Sequence, residues 1–482
     1  MKKMNLLVMS LVSAAALSFT SCSDSEDLAG NSQNKVDKFY MTLTVQTPTS
    51  NGTRTALKNN FAATTEESDV TSGTFYLVDA KGNIVFKHDI SKEEWAEKKN
   101  PTKGTNGKTT LQVPVENVTA GTTYSVYFLA NTTSKSPLTD VFTSDNKFAT
   151  AYSTANNFAM FNQNDAEVKG NSHTVVFKSD NKDANSPAKV SSTINIERLT
   201  ARIDEPKSAA STIQPYAENA SASDEEKEAN ANAVEAVKSL KLTSYAISNV
   251  ANKTNVMQQW ADATTLLIPT GIIYFQPTTE FGTKTLLQNY KYFNAVTTEK
   301  GKEEHKDYIF ENNSSDAATS MYFEYTVTLN DDLKAKADFK DDGTFYRYNK
   351  VIYSNIQDII NDYQGQKAIF DGKDAATVVA ELTAAKNDDT DPEAKLDEFR
   401  KKYDIEVFNA GKTYYVQKIQ DQYLDVANTI QRNSIYLLNV KNIFNVGAQV
   451  PNGGPDDRPL YYLDVEVSVN PWVLNEQSVD LK

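Results

Sequence analysis

The chain has 482 residues, of which 39% are hydrophobic and 10% aromatic, so it can bury the cores of two or three globular domains. Acidic side chains outnumber basic ones by 63 to 49, and the formal net charge of −14 argues against a nucleic acid as partner. Three histidines and one cysteine exclude a His/Cys zinc site and a disulfide framework. We predict no cofactor and no metal site.

The first 21 residues resemble a bacterial lipoprotein signal, and Cys22 is the predicted site of lipidation. Lys2 and Lys3 precede an apolar run at 6–19 that is too short to span a bilayer as a stable helix. Cys22, the only cysteine, follows small residues at the point where such a signal is cut. Acyl chains such as palmitate on Cys22 would anchor the precursor in the outer membrane. A plain secretory signal with an incidental cysteine is the alternative.

The first predicted strand lies at residues 39–45, where apolar residues alternate with mostly polar ones, as in a half-buried β-strand. It ends before Pro48, and residues 49–55 have the composition of a loop. A loop with a single arginine, Arg54, is a good protease target because exposed backbone can enter a protease cleft. The alternating apolar residues are Phe39, Met41, Leu43 and Val45.

Further short runs rich in aromatic and β-branched residues predict the remaining strands. A polar segment at 179–189 marks a domain boundary, so we predict one β domain at 55–190 and a second at 191–482. The predicted fold is mainly β, with two antiparallel β-sandwich domains in tandem and helical insertions in the second. The main predicted strands lie at 74–78, 83–86, 111–115, 122–131, 172–177, 193–203, 240–248, 321–329, 412–419, 434–440 and 461–469.

Three segments of the second domain have helical composition. Residues 221–238 are rich in Ala and Glu, with an N-cap at Ser223 or Asp224. Their apolar face is mostly alanine, which predicts weak burial and a mobile insertion. Residues 375–386 and 392–403 predict two further helices, separated by an acidic loop.

No motif of a known catalytic site is present: the sequence lacks HExxH, GxSxG, a P-loop and a dinucleotide fingerprint. The acidic segments 340–343 and 388–391 lack the spacing of a calcium loop, so we interpret them as solvated turns. Whether two carboxylates form a pair for glycoside hydrolysis stays open at this point, because the two side chains of such a pair meet only in the folded chain. We predict that the chain is not an enzyme.

The C-terminal segment 461–482 has the pattern of a strand that can be donated to another chain. Removing a central strand from a sheet exposes unpaired backbone groups and an apolar groove, which a neighbour's strand can fill by β-augmentation. Such a contact is heterologous and propagates as a filament. Alternatively, 461–469 closes its own domain and only 472–482 is donated. The candidate donor residues are Leu463, Val465, Val467, Val469, Trp472, Val473, Val479 and Leu481, with Pro471 interrupting the run.

These features resemble the Bacteroidetes-type fimbrilins, the subunits of type V pili, and most closely the short-fimbria major subunits. The resemblance rests on the signal up to Cys22 and on the order of segments spread along most of the chain. These segments are FYMTLTVQTPTSNGTRTA, TTYSVYFLAN, INIERLTARI, LKLTSYAISNVANKT, YIFENN, MYFEYTVTL, AGKTYYVQKIQD, QRNSIYLLNVKNIFNVG and LDVEVSVNPWV.

The resemblance implies transthyretin-like β-sandwich domains and a maturation pathway. An arginine-specific protease cuts the lipoprotein precursor between Arg54 and Thr55, and residues 22–54 leave together with the first strand. The chain then polymerises with copies of itself and with other fimbrial subunits into a surface fimbrium that supports adhesion. The alternatives are a permanently tethered lipoprotein in which Arg54 is an ordinary loop residue, an accessory or tip adhesin, and a lipid-anchored glycan-binding protein.

Overall fold

The computed structural model describes residues 38–47, 64–98, 108–145, 148–164, 173–217, 220–262, 264–275, 293–297, 302–336, 342–364, 369–421, 424 and 426–450, and the backbone of 463–471. The fold is mainly β, as predicted. Within these ranges no helix is both long and apolar enough to cross a bilayer.

The first group of elements surrounds an N-terminal core. Its elements are β1 (Phe39–Gln46), α1 (Thr65–Ser68), β2 (Gly73–Val78), β3 (Ile84–Ile90), α2 (Lys92–Lys98), β4 (Lys108–Val115), β5 (Thr123–Ala130), β6 (Val141–Thr143), β7 (Ser153–Thr154), β8 (Asn157–Phe158), β9 (Met160–Asn162), β10 (Thr174–Val176), β11 (Ala188–Lys189) and β12 (Ile194–Arg198), with 3-10 turns at Thr150–Tyr152 and Ser179–Lys182.

Nine of these strands form one sheet in the order β11-β1-β12-β9-β5-β2-β3, with β4 paired to β1 and β10 paired to β5. Most pairs are antiparallel, as predicted, but β1 runs parallel to β11 and β12. Buried side chains of this sheet, including Met41, Phe75 and Phe128, form a common core with Trp95 of α2.

The second group of elements follows directly. They are β13 (Ala201–Asp204), β14 (Lys207–Ser208), α3 (Asp224–Ala236), β15 (Val237–Ser248), β16 (Val250–Ala251), β17 (Lys253–Asn255), β18 (Gln259–Trp260), β19 (Leu266–Leu267), β20 (Tyr274–Phe275), β21 (Asn294–Ala295), β22 (Lys306–Ile309), β23 (Ser320–Leu329), α4 (Asp331–Lys334), β24 (Phe345–Tyr348), β25 (Val351–Tyr353), α5 (Ile356–Asp362), α6 (Ala375–Lys386), α7 (Pro392–Tyr403), β26 (Glu406–Phe408), β27 (Lys412–Lys418), β28 (Ser434–Ile443) and β29 (Leu463–Pro471), with 3-10 turns at Ile369–Gly372 and Asn409–Gly411.

Two sheets enclose the second core. One contains β22, β13, β14, β28 and β29, and the other has the order β21-β15-β23-β27. Tyr245, Phe323 and Tyr436 are among the fully buried residues between them. In the first of these sheets β13 and β14 run parallel to β28, whereas β29 runs antiparallel to it.

The predicted strand at 193–203 is two strands, because the chain passes there from one sheet to the other. β12 pairs with β1 and β9 of the N-terminal sheet. β13 pairs with β22 and β28 of the second group. The N-terminal sheet therefore continues past residue 190 as far as Arg198, and Ala201 begins the next sheet.

α3 is shorter than predicted, since it ends at Ala236 and the next residue already belongs to β15. Its N-cap is Ser223, whose hydroxyl accepts a hydrogen bond from the Glu226 amide at 3.2 Å. Ala233 and Ala236 are buried in the second core. The burial of the described helix is therefore not weak, as its alanine-rich face predicted, because small side chains allow it to approach the second core closely.

The segment between β23 and β27 has a separate apolar core. It holds α5, α6 and α7 against β24, β25 and β26, and its buried residues include Tyr346, Val378 and Phe399. α6 and α7 coincide with the helices predicted at 375–386 and 392–403. The Asp391 carboxylate caps α7 by accepting a hydrogen bond from the Ala394 amide at 3.1 Å.

Candidate functional site

β1 lies between other strands on both of its edges. On one side all eight residues, from Phe39 to Gln46, pair antiparallel with β4. On the other side β1 pairs in parallel with β11 at Met41 and with β12 at Val45. The strand predicted at 39–45 is thus an internal strand of the N-terminal sheet.

The alternation of β1 decides which of its side chains are buried. The four apolar residues are at most 2% exposed, whereas the intervening polar residues are half-buried. Burying such an apolar side chain contributes about 1.5–3 kcal/mol relative to leaving it in water. The Phe39 ring also packs edge-on against Phe177, with ring centroids 5.5 Å apart. The structure therefore brings Phe39, Met41, Leu43 and Val45 together in one core.

In the described part of the chain, β4 has no strand partner other than β1. Its residues Leu111, Val113 and Val115 are fully buried in the same core. Without β1, the sheet would carry an apolar groove flanked by unpaired backbone groups of β4, β11 and β12. Such a groove fits an extended peptide with an apolar side chain at every second position.

The C-terminal strand β29 lies at the edge of its sheet. It pairs antiparallel with β28 through nine residue pairs, from Leu463 opposite Ile443 to Pro471 opposite Ser434. β28 has β13 and β14 on its other side, so it is internal, whereas β29 pairs with β28 alone among the described strands. The backbone of β29 contains the predicted donor positions Leu463, Val465, Val467 and Val469.

Several predicted site residues lie outside the described residues, so their positions stay predictions. They are the lipidation site Cys22, the cleavage site Arg54 and Thr55, and the tail residues Trp472, Val473, Val479 and Leu481.

After residues 48–63, which lie outside the described ranges and include Arg54, the described chain resumes at Thr64 in a segment that joins the two groups of elements. The Glu67 carboxylate is 2% exposed, and Arg202 of β13 donates from Nη1 to its Oε1 at 2.8 Å. The Tyr308 hydroxyl of β22 donates to the same oxygen at 2.7 Å. Burial alone would raise the pKa of the Glu67 carboxyl, but Arg202 and these hydrogen bonds outweigh it, so the pKa lies below its ordinary value.

Arg198 completes this junction from the N-terminal sheet. Its guanidinium is buried and donates from Nε to the Glu67 carbonyl oxygen at 2.7 Å and from Nη2 to the Ser68 hydroxyl at 2.9 Å. Nη1 donates to Asn433 Oδ1, 3.0 Å away, next to the start of β28. Sequence reasoning missed this junction. The sequence does contain one indication of the junction, because Arg198 and Arg202 interrupt an otherwise apolar strand pattern. A charged side chain buried at such a position requires polar partners.

His173 and the two acidic segments make separate local contacts. His173 is buried with Nδ1 2.8 Å from the Ser192 hydroxyl, and burial lowers its pKa. Of the two acidic segments, Asp342 pairs with Lys386, and the Asp388 carboxylate accepts hydrogen bonds from the amides of its own turn. The described ranges contain no group of three or more His, Cys, Asp or Glu side chains that could hold a metal ion.

Residues 406–478 match the model of the family described as major fimbrial subunit protein type IV, Fimbrillin, C-terminal. The match begins at β26 and extends past β29. No curated protein matches the sequence.

Among solved structures, the chain is similar to a fimbrilin from Porphyromonas gingivalis W83, with 12% identity, a TM-score of 0.44, and coverage of 92% of this chain and 99% of that one. It is also similar to a protein assigned to cell adhesion from Parabacteroides distasonis ATCC 8503, with 12% identity, a TM-score of 0.45, and coverage of 91% and 98%. A second protein of that assignment, from Bacteroides eggerthii DSM 20697, has 11% identity and a TM-score of 0.41, with coverage of 92% of this chain and 98% of that one. The family match confirms the predicted resemblance in one region of the chain, since residues 406–478 are similar to the C-terminal part of the fimbrillin major fimbrial subunits.

Proposed function

We propose that this chain is a structural subunit of a surface fimbrium and polymerises by exchanging strands between copies of itself. The observation that carries the proposal is the position of β1, an internal strand with a buried apolar face that lies between β4 on one side and β11 and β12 on the other. A strand in that position near the start of a chain can leave only if another strand replaces it, because its departure uncovers apolar side chains and backbone groups together.

Removal of β1 requires a cut in the chain between Gln46 and Thr64. The single arginine in that interval is Arg54, so we infer that an arginine-specific protease cuts between Arg54 and Thr55. The same cut removes lipid-modified Cys22, which frees the subunit from the outer membrane. One hydrolysis thus both releases the anchor and opens the groove.

The donor is best supplied by β29. Its apolar residues Leu463, Val465, Val467 and Val469 have the spacing of those in β1, and its nine residues match the eight of β1. As an edge strand it can leave while β28 keeps β13 and β14. In the groove of the next subunit it would run in the direction of β1, antiparallel to β4.

The cleavage step is tested by replacing Arg54 in the full precursor. Arg54→Ala and the charge-conserving Arg54→Lys should both give an uncut, lipid-tethered monomer, whereas the wild-type surface form should begin at Thr55. Electron microscopy and SDS-resistant ladders report polymerisation. Abundant filaments formed by either variant would contradict the proposal and favour a lipid-anchored protein that needs no cut, such as a glycan-binding protein.

The donor step is tested by a pair of substitutions at neighbouring positions of β29. Val467→Asp places a charge at an apolar position and should abolish ladders without preventing the cut at Arg54. Ser468→Asp changes the adjacent polar position and should leave polymerisation intact. Val479→Asp places a charge at an apolar position of residues 472–482 and tests whether that segment is the donor instead. Loss of ladders in Val479→Asp but not in Val467→Asp would transfer the donor role to residues 472–482.

A further inference from the structure

In the part of the chain that the structure describes, arginines lie in a different environment from lysines. Of the 49 basic side chains, seven are arginine and 42 are lysine. In the described ranges four of five arginines are at most 5% exposed, and the side chain of the fifth is 12% exposed. No lysine of these ranges is buried. The five arginines are Arg198, Arg202, Arg347, Arg400 and Arg432.

Two of the five belong to the junction with Glu67, and each guanidinium makes several bonds there. Arg198 binds the Glu67 carbonyl oxygen and the Ser68 hydroxyl. Besides its ion pair with Glu67, Arg202 donates from Nε to Asp204 Oδ1 at 2.6 Å and from Nη2 to Asp204 Oδ2 at 2.9 Å. Extracting either side chain leaves a buried polar group without a partner.

The other three are held in the second group of elements. Arg347 of β24 donates from Nη2 to Glu406 Oε1 at 2.7 Å and from Nη1 to a backbone carbonyl oxygen at 2.6 Å. Arg400 of α7 donates to the Val407 carbonyl oxygen at 2.9 Å. Arg432 donates from Nη2 to Glu311 Oε2 at 2.7 Å, and both groups are at most 2% exposed.

A protease needs an exposed and flexible segment whose backbone can extend through its cleft, with the recognised side chain free to enter a pocket. The five arginines fail both conditions in the folded chain. Each would become available only by opening the strand, helix or junction that holds it, which costs a large part of the global unfolding free energy in a buried region. Lysines at the surface do not have this protection, so a lysine-specific protease can reach the bonds that follow them.

The sequence places two further arginines outside the described residues. Arg54 is followed by Thr55, and Arg458 is followed by Pro459. The nitrogen of a peptide bond to proline carries no hydrogen, and the proline ring fixes the backbone angle φ of that residue. The Arg458–Pro459 bond is therefore a poor protease substrate. A cut after Arg458 would separate β29 from the subunit.

We propose that the fold itself confines arginine-specific processing to the Arg54–Thr55 bond. This inference rests on the proposed function and adds that the selectivity resides in the substrate. In the described ranges the fold buries four arginines and leaves only 12% of the Arg347 side chain exposed, while the exposed basic residues there are lysines. Pro459 protects the bond after the sixth arginine, Arg458. Hydrolysis adds one water across the Arg54–Thr55 amide bond and leaves a carboxylate on Arg54 and an ammonium group on Thr55.

The experiment compares two endoproteases on the detergent-extracted full precursor. An arginine-specific enzyme should give one cut, with Thr55 as the new N-terminus by Edman sequencing and intact mass. A lysine-specific enzyme at the same activity should give several cuts. After denaturation, the arginine-specific enzyme should cut at all arginines except Arg458. Cuts after Arg198, Arg202, Arg347, Arg400 or Arg432 in the folded precursor, within tenfold of the rate at Arg54, would overturn the proposal.

Two variants examine the remaining parts of the inference. Pro459→Ala should add a second cut that removes residues 459–482, and an unchanged single cut would show that proline is not the protection. In the second variant, arginine replaces the lysine after which the lysine-specific enzyme cuts first. Because that position is accessible, the arginine-specific enzyme should now make a second cut there. No gain there would overturn the role assigned to lysine. A single cut at Arg54 without subsequent filaments would leave this inference standing and refute the proposed function instead.

Discussion

The Glu67 carboxylate and the Arg202 guanidinium form a buried ion pair, 2.8 Å apart, between the described segment that begins at Thr64 and the first strand of the second group. Tyr308 reinforces the pair from β22. Both partners remain in the chain after a cut at Arg54, so the junction does not depend on β1. A subunit that has lost β1 would therefore keep the relation between its two cores.

Glu67→Gln should lower the unfolding free energy of the precursor by about 1–3 kcal/mol, because it removes one of the two carboxylates that pair with the buried Arg202 guanidinium and leaves Asp204 as the other. Glu66→Gln is the matched control, since the neighbouring Glu66 is exposed, and it should change the unfolding free energy by about 0.5 kcal/mol or less. Urea titration followed by tryptophan fluorescence measures both. Equal effects of the two variants would contradict the role of the ion pair.

The contribution of Glu67 should depend on pH with a definite sign. Its pKa in the folded chain lies below the ordinary value, so the folded state binds the proton less readily than the unfolded state does. The stabilisation is present above the unfolded pKa of about 4.3 and is lost as pH falls through the lower folded pKa. The difference in unfolding free energy between wild type and Glu67→Gln should be constant from pH 6 to 8 and shrink below about pH 4. A difference that grows on acidification would exclude this assignment.

Leu43→Ala should affect the precursor and spare the filament. The side chain is 1% exposed in the N-terminal core, so its truncation should lower the unfolding free energy of the precursor by about 2–5 kcal/mol. Mature filaments lack residue 43 under the proposed cut and should dissociate at the wild-type temperature. Thr42→Ala, at a half-buried neighbouring position, is the control. Filaments weakened to the same degree as the precursor would indicate that β1 stays in the subunit.

The dependence of β4 on β1 predicts a change in hydrogen exchange. In a cut subunit that ends at residue 462 and cannot donate β29, amides of Lys108–Val115 should exchange fast, because their only described strand partner is gone. Amides of β5 should stay protected, since β2, β9 and β10 still flank that strand. Adding wild-type donor strand as a peptide should restore protection in β4. Slow exchange throughout β4 before the peptide is added would contradict the model.

Local sequence pattern was sufficient for the existence of the main elements. The alternation at 39–45 predicts a strand with four buried side chains, and the composition of 392–403 predicts α7. It was not sufficient for 193–203, where one continuous apolar pattern covers two strands in different sheets. Period-two alternation reports which face of a strand is buried, and it carries no information about the partner strands.

The sequence by itself determined a mainly β chain with an apolar strand near each end, one Arg in the first loop and a lipoprotein-like signal. Only the tertiary structure decided that β1 is internal, that β4 relies on it, and that β29 lies at an edge. It also decided that four of the five described arginines are buried and that the fifth, Arg347, is largely buried. The physical reason is that strand pairing and the burial of charge join residues far apart in the chain, such as Glu67 and Arg202, and these contacts form only when the sheets pack together.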